Sequence, residues 1–142
     1  MKKKKVANNI IIFIPAFWAC LVDLLLTTIN QPVEYWQGNL QMVREGNPLI
    51  EFLMKNSISG IFIFVTLWLL TIVMIGYYLH SKLLRVLALF VLIAHTYGAS
   101  SWLAECCSFW TVIAYVLLNS VLFIAFVDIY SLKTSNVLTE RE

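Results

Sequence analysis

Four long apolar stretches constrain the fold of this chain more than any other feature of its sequence. They run approximately over residues 10–29, 61–79, 86–104 and 109–129. A helix of about 20 apolar residues crosses a bilayer and satisfies its own backbone hydrogen bonds, which an open strand does not. With 61% hydrophobic and 13% charged residues, the composition is typical of a membrane protein. The sequence predicts one all-α membrane domain over residues 1–142, a bundle of four transmembrane helices.

Basic residues lie on one side of the predicted membrane. They are Lys2 to Lys5 before the first stretch, Lys82 and Arg85 between the second and third, and Lys133 and Arg141 after the fourth. The opposite side, chiefly the segment 30–60, is mixed to acidic, so both termini are expected in the cytoplasm. The first apolar stretch exceeds the 7–15 residues, roughly, of a signal-peptide core, which predicts an uncleaved first span. The lysine run is a topology signal, and we expect no nucleic-acid binding.

The outer segment 30–60 contains its own helix signal. In the sequence GNP, Asn47 suits the N-cap of a helix and Pro48 suits the first helical position. From Pro48 to Leu79 the chain is too long for one upright span. Either this helix is tilted and projects outward, or it breaks near Ser57, Ser59 and Gly60.

Two polar stripes occur on helical faces inside the apolar stretches. A charged group near the centre of a span costs about 2.5–3.5 kcal/mol on insertion scales, so each one needs an explanation. The first stripe consists of Asp23, Thr27 and Asn30, and the second of His95, Gly98, Trp102 and Glu105. Their spacing puts each set on one face of its helix. Because both stripes lead towards the outer surface, they predict a polar cavity that opens outward, with His95 at its floor.

Further residues are expected around this cavity. Glu45 and Asn47 would lie above it, and the remaining spans would add Thr66, Thr71, Tyr115 and Asn119. We predict Asp23 and His95 as an acid–base pair and Thr27, Glu45, Asn47, Trp102 and Glu105 as ligand-binding residues. Simpler roles stay open. His95 would hydrogen-bond across helices, Glu105 would meet interfacial water, and Trp68, like most of the tryptophans, would be an interfacial or packing residue.

Other site chemistries find little support in the sequence. No HExxH motif or paired-histidine spacing occurs, so we expect no metal, and no redox or phosphate-binding motif indicates a cofactor. No GxSxG motif occurs, and Ser100 and Ser101 are not on the His95 face. Cys20, Cys106 and Cys107 form neither a disulfide framework nor a zinc pattern. Packing, or lipidation of the adjacent pair, explains them.

The order of three short segments resembles the EXPERA family of emopamil-binding-protein-like membrane proteins. The segments are IPAFWACLVD with Asp23, GNPL with Asn47 and Pro48, and AHTYGAS with His95. The resemblance implies a helical bundle with a polar-floored pocket for amphipathic, sterol-like ligands, in which some members shift a double bond by proton transfer. Asn47 stands where that family usually has Asp-Pro, and the second span lacks the expected acidic residue. The same layout is similar to small prokaryotic four-span membrane proteins.

The sequence leaves two classes of function. In the first, an intramembrane pocket binds a lipid-like or amphipathic small molecule, with or without isomerase-like acid–base chemistry at Asp23 and His95. In the second, the chain is a non-catalytic membrane subunit or scaffold, and its polar residues serve helix packing or a partner protein. Membrane lipids are expected partners in both, and a partner chain or a second copy belongs to the second.

Overall fold

The structure is a computed structural model that describes residues 10–139, except for the side chains of Ser81 and of residues 134–139. Within these residues every regular element is helical, and no strand is present. The elements in chain order are α1 (Ile14–Ile29), α2 (Val33–Trp36), a 3₁₀ turn (Leu40–Met42), α3 (Pro48–Asn56), α4 (Gly60–Tyr78), α5 (Ser81–Cys106) and α6 (Phe109–Thr139). The predicted all-α fold is confirmed at this level.

Three of these helices are long and apolar enough to cross a membrane. They are α4 over its whole length, α5 over Lys82–Cys106 and α6 over Phe109–Lys133. This finding indicates a membrane protein, as the sequence predicted. The fourth apolar helix, α1, is shorter, since its 16 residues rise only about 24 Å. It begins at Ile14 rather than at Ile10, after a turn in which the Phe13 amide donates to the Ile10 carbonyl (3.0 Å).

Helix α1 is the centre of the molecule. It packs most extensively along α5, and it also contacts α6 and, less closely, α4. Ala16 and Ala19 are fully buried in this packing, together with Ala88 and Val91 of α5. Small side chains allow helix backbones to approach closely, which favours van der Waals contact where no hydrophobic effect drives association. The pair α1–α5 therefore forms the tightest unit of the bundle.

The outer segment folds over one end of the bundle. Asn47 is the N-cap of α3, and its Oδ1 accepts a hydrogen bond from the Leu49 amide (3.0 Å), as the sequence predicted. The helix then breaks at Ser57, whose backbone is extended, before α4 begins at Gly60. A Cβ added at Gly60 would lie 2.5 Å from the Leu53 carbonyl oxygen, so only glycine permits this close approach. Of the two alternatives for this region, the break is therefore correct.

Helices α5 and α6 are longer than the sequence predicted. Helix α5 already begins at Ser81 rather than near residue 86, and α6 continues to Thr139 rather than ending near residue 129. Only 6% of the most apolar window of α6 is buried within the molecule, against 28% for α5. Helix α6 therefore lies at the edge of the bundle, where most of its surface faces outward.

Candidate functional site

A cavity of about 1140 Å³ lies between α1, α4, α5 and the outer segment. Its walls are mostly apolar and aromatic, and its polar groups come from α1, α5 and residues 43–47. Seven of its lining residues are those that the sequence singled out: Asp23, Thr27, Glu45, Asn47, His95, Trp102 and Glu105. The structure thus brings all of the predicted site residues to one space.

The polar floor of the cavity is a chain of three side chains from three helices. The Oδ2 atom of Asp23 lies 2.9 Å from the Nδ1 atom of His95. On the other side of the ring, the Trp68 indole N–H donates to His95 Nε2 (3.1 Å). Because a protonated Nε2 has no lone pair to accept this bond, the ring carries its proton on Nδ1 and donates it to Asp23. His95 is then neutral, and the negative charge of the floor resides on Asp23.

Gly98 makes the contact between Asp23 and α5 sterically feasible. A Cβ added at Gly98 would lie 2.7 Å from both carboxylate oxygens of Asp23. Real Cβ atoms do not approach other atoms so closely, so any larger residue here would displace the carboxylate. Asp23 Oδ1 makes no hydrogen bond to a described residue, and 21% of the Asp23 side chain remains accessible. One carboxylate oxygen at the floor is therefore free for a ligand.

A second hydrogen bond joins α1 to α5 closer to the end of the bundle that the segment 30–60 covers. The Trp102 indole N–H donates to Thr27 Oγ1 (2.9 Å), and both side chains are buried. This bond fixes the Trp102 ring as a wall of the cavity. The Arg44 guanidinium lies over that ring, 5.7 Å from its centroid, and its Nη2 pairs with Glu105 Oε2 (2.7 Å). Glu105 is thus an exposed, paired carboxylate at the rim of the cavity.

Residues Val43–Pro48, which we call the strap, cross the outer end of the cavity. The buried side chain of Gln31 anchors the strap, because its Oε1 accepts from the Arg44 amide (2.8 Å) and its Nε2 donates to the Arg44 carbonyl (2.6 Å). The same Nε2 donates to the Thr27 carbonyl in the last turn of α1 (3.0 Å). The side-chain amide of Gln31 therefore attaches the backbone of the strap to the end of α1.

Glu45 is the carboxylate that the strap presents to the cavity. Its Oε1 accepts a hydrogen bond from the Asn47 amide (2.7 Å). Burial raises the pKa of Glu45 above its ordinary value, and the nearby charge of Asp23 adds to this effect. The bond from the Asn47 amide opposes the shift but does not cancel it. Among the described residues no Lys, Arg or His forms an ion pair with Glu45.

The cavity has more negative than positive groups. Asp23, Glu45 and Glu105 are carboxylates, whereas Arg44 is the one Lys or Arg among the residues that line it. Arg44 is already paired with Glu105, so Asp23 and Glu45 retain their charge. In the part of the chain that the structure describes, no group of three or more His, Cys, Asp or Glu side chains is placed to hold a metal ion.

Four polar residues that were expected to add to the cavity lie elsewhere. Asn119 of α6 is buried against α5, where its Nδ2 donates to Thr96 Oγ1 (3.1 Å), and Tyr115 is buried one turn away. Thr66 and Thr71 donate to carbonyls of their own helix. Asn119 and Tyr115 lie elsewhere because α6 packs on a face of α5 that differs from the cavity face. Thr66 and Thr71 do not contribute because their hydroxyls are already hydrogen-bonded to carbonyls four residues earlier in α4.

Three residues that build the site were not predicted from the sequence to do so: Trp68, Arg44 and Gln31. Trp68 was expected to serve packing or the interface, but its indole N–H contacts the predicted base directly. A buried indole N–H needs an acceptor, and this was the signal available in the sequence. Arg44 and Gln31 lie outside any periodic pattern, so their pairing could not be inferred from spacing.

The chain matches no known family, and no curated protein or solved structure is detectably similar to it. The site must therefore be interpreted from its own chemistry.

The protonation state of the floor can be measured directly, because His80 and His95 are the two histidines of the chain. Spectra of ¹⁵N-histidine-labelled protein, assigned with His80→Gln, should show His95 as a neutral ring protonated at Nδ1. Trp68→Phe removes the donor to Nε2, so the Nε2 resonance should shift while that of His80 stays unchanged. A His95 ring protonated on both nitrogens in the wild type would contradict this assignment.

Proposed function

We propose that this protein is a four-span bundle with both termini in the cytoplasm, and that its cavity binds a lipid-like, amphipathic small molecule. One observation carries the proposal: the predicted site residues all line a single cavity. Its floor is charged and hydrogen-bonded, and its walls are apolar. Cavities of about 300–1,000 Å³ with mostly apolar walls and a few placed polar groups are typical of small-molecule sites, and this one is slightly larger. Such walls suit an apolar body, and such a floor suits a polar head.

The charge of the cavity favours a cationic head group. Asp23 and Glu45 both line the cavity, and neither is neutralised by a Lys or Arg among the described residues. A cationic head in the cavity would be attracted by the charges of both carboxylates, whereas a carboxylate or phosphate head would meet repulsion. The ring of Trp68 provides an aromatic surface beside the same floor, and aromatic faces attract cations. The preferred ligand is therefore a cationic amphiphile.

A proton-transfer activity on such a ligand is the second candidate. The 2.9 Å contact between Asp23 and His95 favours it, since a neighbouring carboxylate orients an imidazole and stabilises the protonated ring that forms during acid–base catalysis. In the described arrangement both ring nitrogens are occupied, by Asp23 and by Trp68. Catalysis would require the Trp68 bond to open when a substrate enters. Binding needs no such change, and for that reason it is the function that we put first.

The direct test compares three amphiphiles of equal chain length, with trimethylammonium, glucoside and carboxylate heads. Binding to protein in phosphatidylcholine nanodiscs should be tightest for the ammonium and weakest for the carboxylate. Asp23→Asn and Glu45→Gln each remove one charge, and we expect each to weaken ammonium binding about tenfold or more. Titration calorimetry measures the affinities, and native mass spectrometry shows whether a lipid is retained on purification.

Glu34→Gln is the matched control, because Glu34 is a carboxylate of the outer segment that does not line the cavity. It should leave ammonium binding unchanged. The packing role makes the opposite prediction: Asp23→Ala and His95→Ala would lower stability in detergent, and no charge preference would appear. Equal affinity for the ammonium and the carboxylate would refute the binding proposal.

The raised pKa of Glu45 predicts a pH dependence of stability. The folded protein holds the Glu45 proton more tightly than the unfolded chain does, so stability falls as the pH rises from about 4.5 through the raised pKa. Glu45→Gln abolishes this loss, and its Tm at neutral pH should exceed that of the wild type. The difference should vanish below the ordinary pKa of glutamate. Thermal melts in detergent across this range check it; a less stable variant at neutral pH would contradict it.

The proposed orientation rests on the distribution of Lys and Arg, and the exposed cysteines allow a test. Cys106 and Cys107 are exposed at the end of α5 that adjoins the strap, and Cys20 is buried. A membrane-impermeant maleimide added to intact cells should therefore label the wild type. The Cys106→Ser, Cys107→Ser double variant should stay unlabelled until the membrane is opened. Labelling that appears only after lysis would reverse the orientation.

A further inference from the structure

One face of α5 both lines the cavity and is exposed outside the bundle. Phe90, Ala94, Tyr97 and Ser101 recur at helical spacing along this face, and all four belong to the cavity wall. Phe90 is 61% exposed and Tyr97 is 78% exposed, although both lie within the apolar part of the helix. A residue can satisfy both conditions only where the cavity wall is interrupted. The cavity is therefore open along this stripe.

The opposite edge of this opening is α4. Helices α4 and α5 follow each other in the chain, yet they hardly contact one another along their lengths. Four side chains of α4 line the cavity: Ile61 is buried, and Phe64, Val65 and Trp68 are half-buried. The Trp68 indole N–H, which donates to His95 Nε2, connects the two helices at the floor of the cavity. Between this bond and the strap the helices leave a lateral gap, which lies within the apolar windows of both.

The outer, aqueous side of the cavity is covered by contrast. The strap crosses it and is held there by the paired hydrogen bonds of Gln31 and by the Arg44–Glu105 ion pair. Any ligand that entered from water would have to displace these contacts. A ligand that entered from the bilayer would meet mostly apolar and aromatic side chains, and no ion pair, until it reached the floor.

We infer that the ligand enters and leaves sideways, from the lipid, through the gap between α4 and α5, and that its alkyl tail remains in this gap while its cationic head contacts Asp23 and Glu45. This inference rests on the proposed function and specifies the route of access and the place of the tail. The carboxylates inside the cavity are complementary to the cationic head, and the exposed aromatic stripe at the gap is complementary to the alkyl tail. The occupant to which they correspond is a bilayer amphiphile with an ammonium head.

The test measures the exchange kinetics of a fluorescent alkyltrimethylammonium probe with protein in phosphatidylcholine nanodiscs. Ala94→Trp places a large side chain in the gap, and we expect it to slow both association and dissociation by about tenfold. Tyr97→Ala widens the gap and should accelerate both. Ile93→Trp is the matched control: Ile93 is the adjacent residue, 59% exposed, and does not line the cavity. Its rates should equal those of the wild type.

Each outcome is decisive. A gate changes both rates in the same direction, whereas a side chain that merely crowds the bound probe speeds dissociation and leaves association unchanged; this second pattern for Ala94→Trp would overturn the inference. Wild-type rates in both Ala94→Trp and Tyr97→Ala would also overturn it while leaving the proposed function intact. If the wild type itself binds no ammonium probe, the proposed function fails, and the inference fails with it.

Discussion

The contact between Asp23 and His95 is the interaction on which the rest of the structure depends. An ionised carboxylate inside an apolar helix bundle is costly unless it has a partner or water, and here the partner is on another helix. Gly98 allows the carboxylate to lie directly against α5, which fixes both the separation and the rotation of α1 and α5. With that register fixed, Thr27 meets Trp102 one turn further out. The hydrogen bonds between α1 and α5 thus depend on the same register of the two helices.

The same arrangement explains why a cavity exists. Helices α1 and α5 approach closely through alanines and Gly98, whereas α4 presents Phe64 and Trp68 towards them. Large aromatic side chains hold a helix away from its neighbours, and Trp68 uses its length to reach His95 from that distance. The space that remains beneath the strap is the cavity. Its position follows from the difference in side-chain size between the tight pair and the third helix.

Helical periodicity accounts for what the sequence could predict. Residues spaced by three, four and seven share a face, so the stripes that begin at Asp23 and His95 were expected to meet, and the GNP segment was expected to begin a helix. Trp68 could not be placed because α4 is apolar all round, so its pattern does not reveal which face is inside. Gln31 and Arg44 pair through loop backbone, which has no period. Asn119 was expected at the cavity, but α6 packs on a different face of α5. The residue spacing in α6 does not indicate which face of α5 it contacts.

Glu45 distinguishes the two classes of function better than the floor does. Helix packing is a sufficient reason for Asp23, His95, Thr27 and Trp102, since each of them satisfies another across α1 and α5. It gives no reason for Glu45, which the strap holds over the cavity, half-buried and without a cationic partner among the described residues. Burial penalises this charge, and the hydrogen bonds from the strap backbone offset only part of the penalty. The cationic ligand that we propose would supply the missing partner, and Glu45 would then be a binding group.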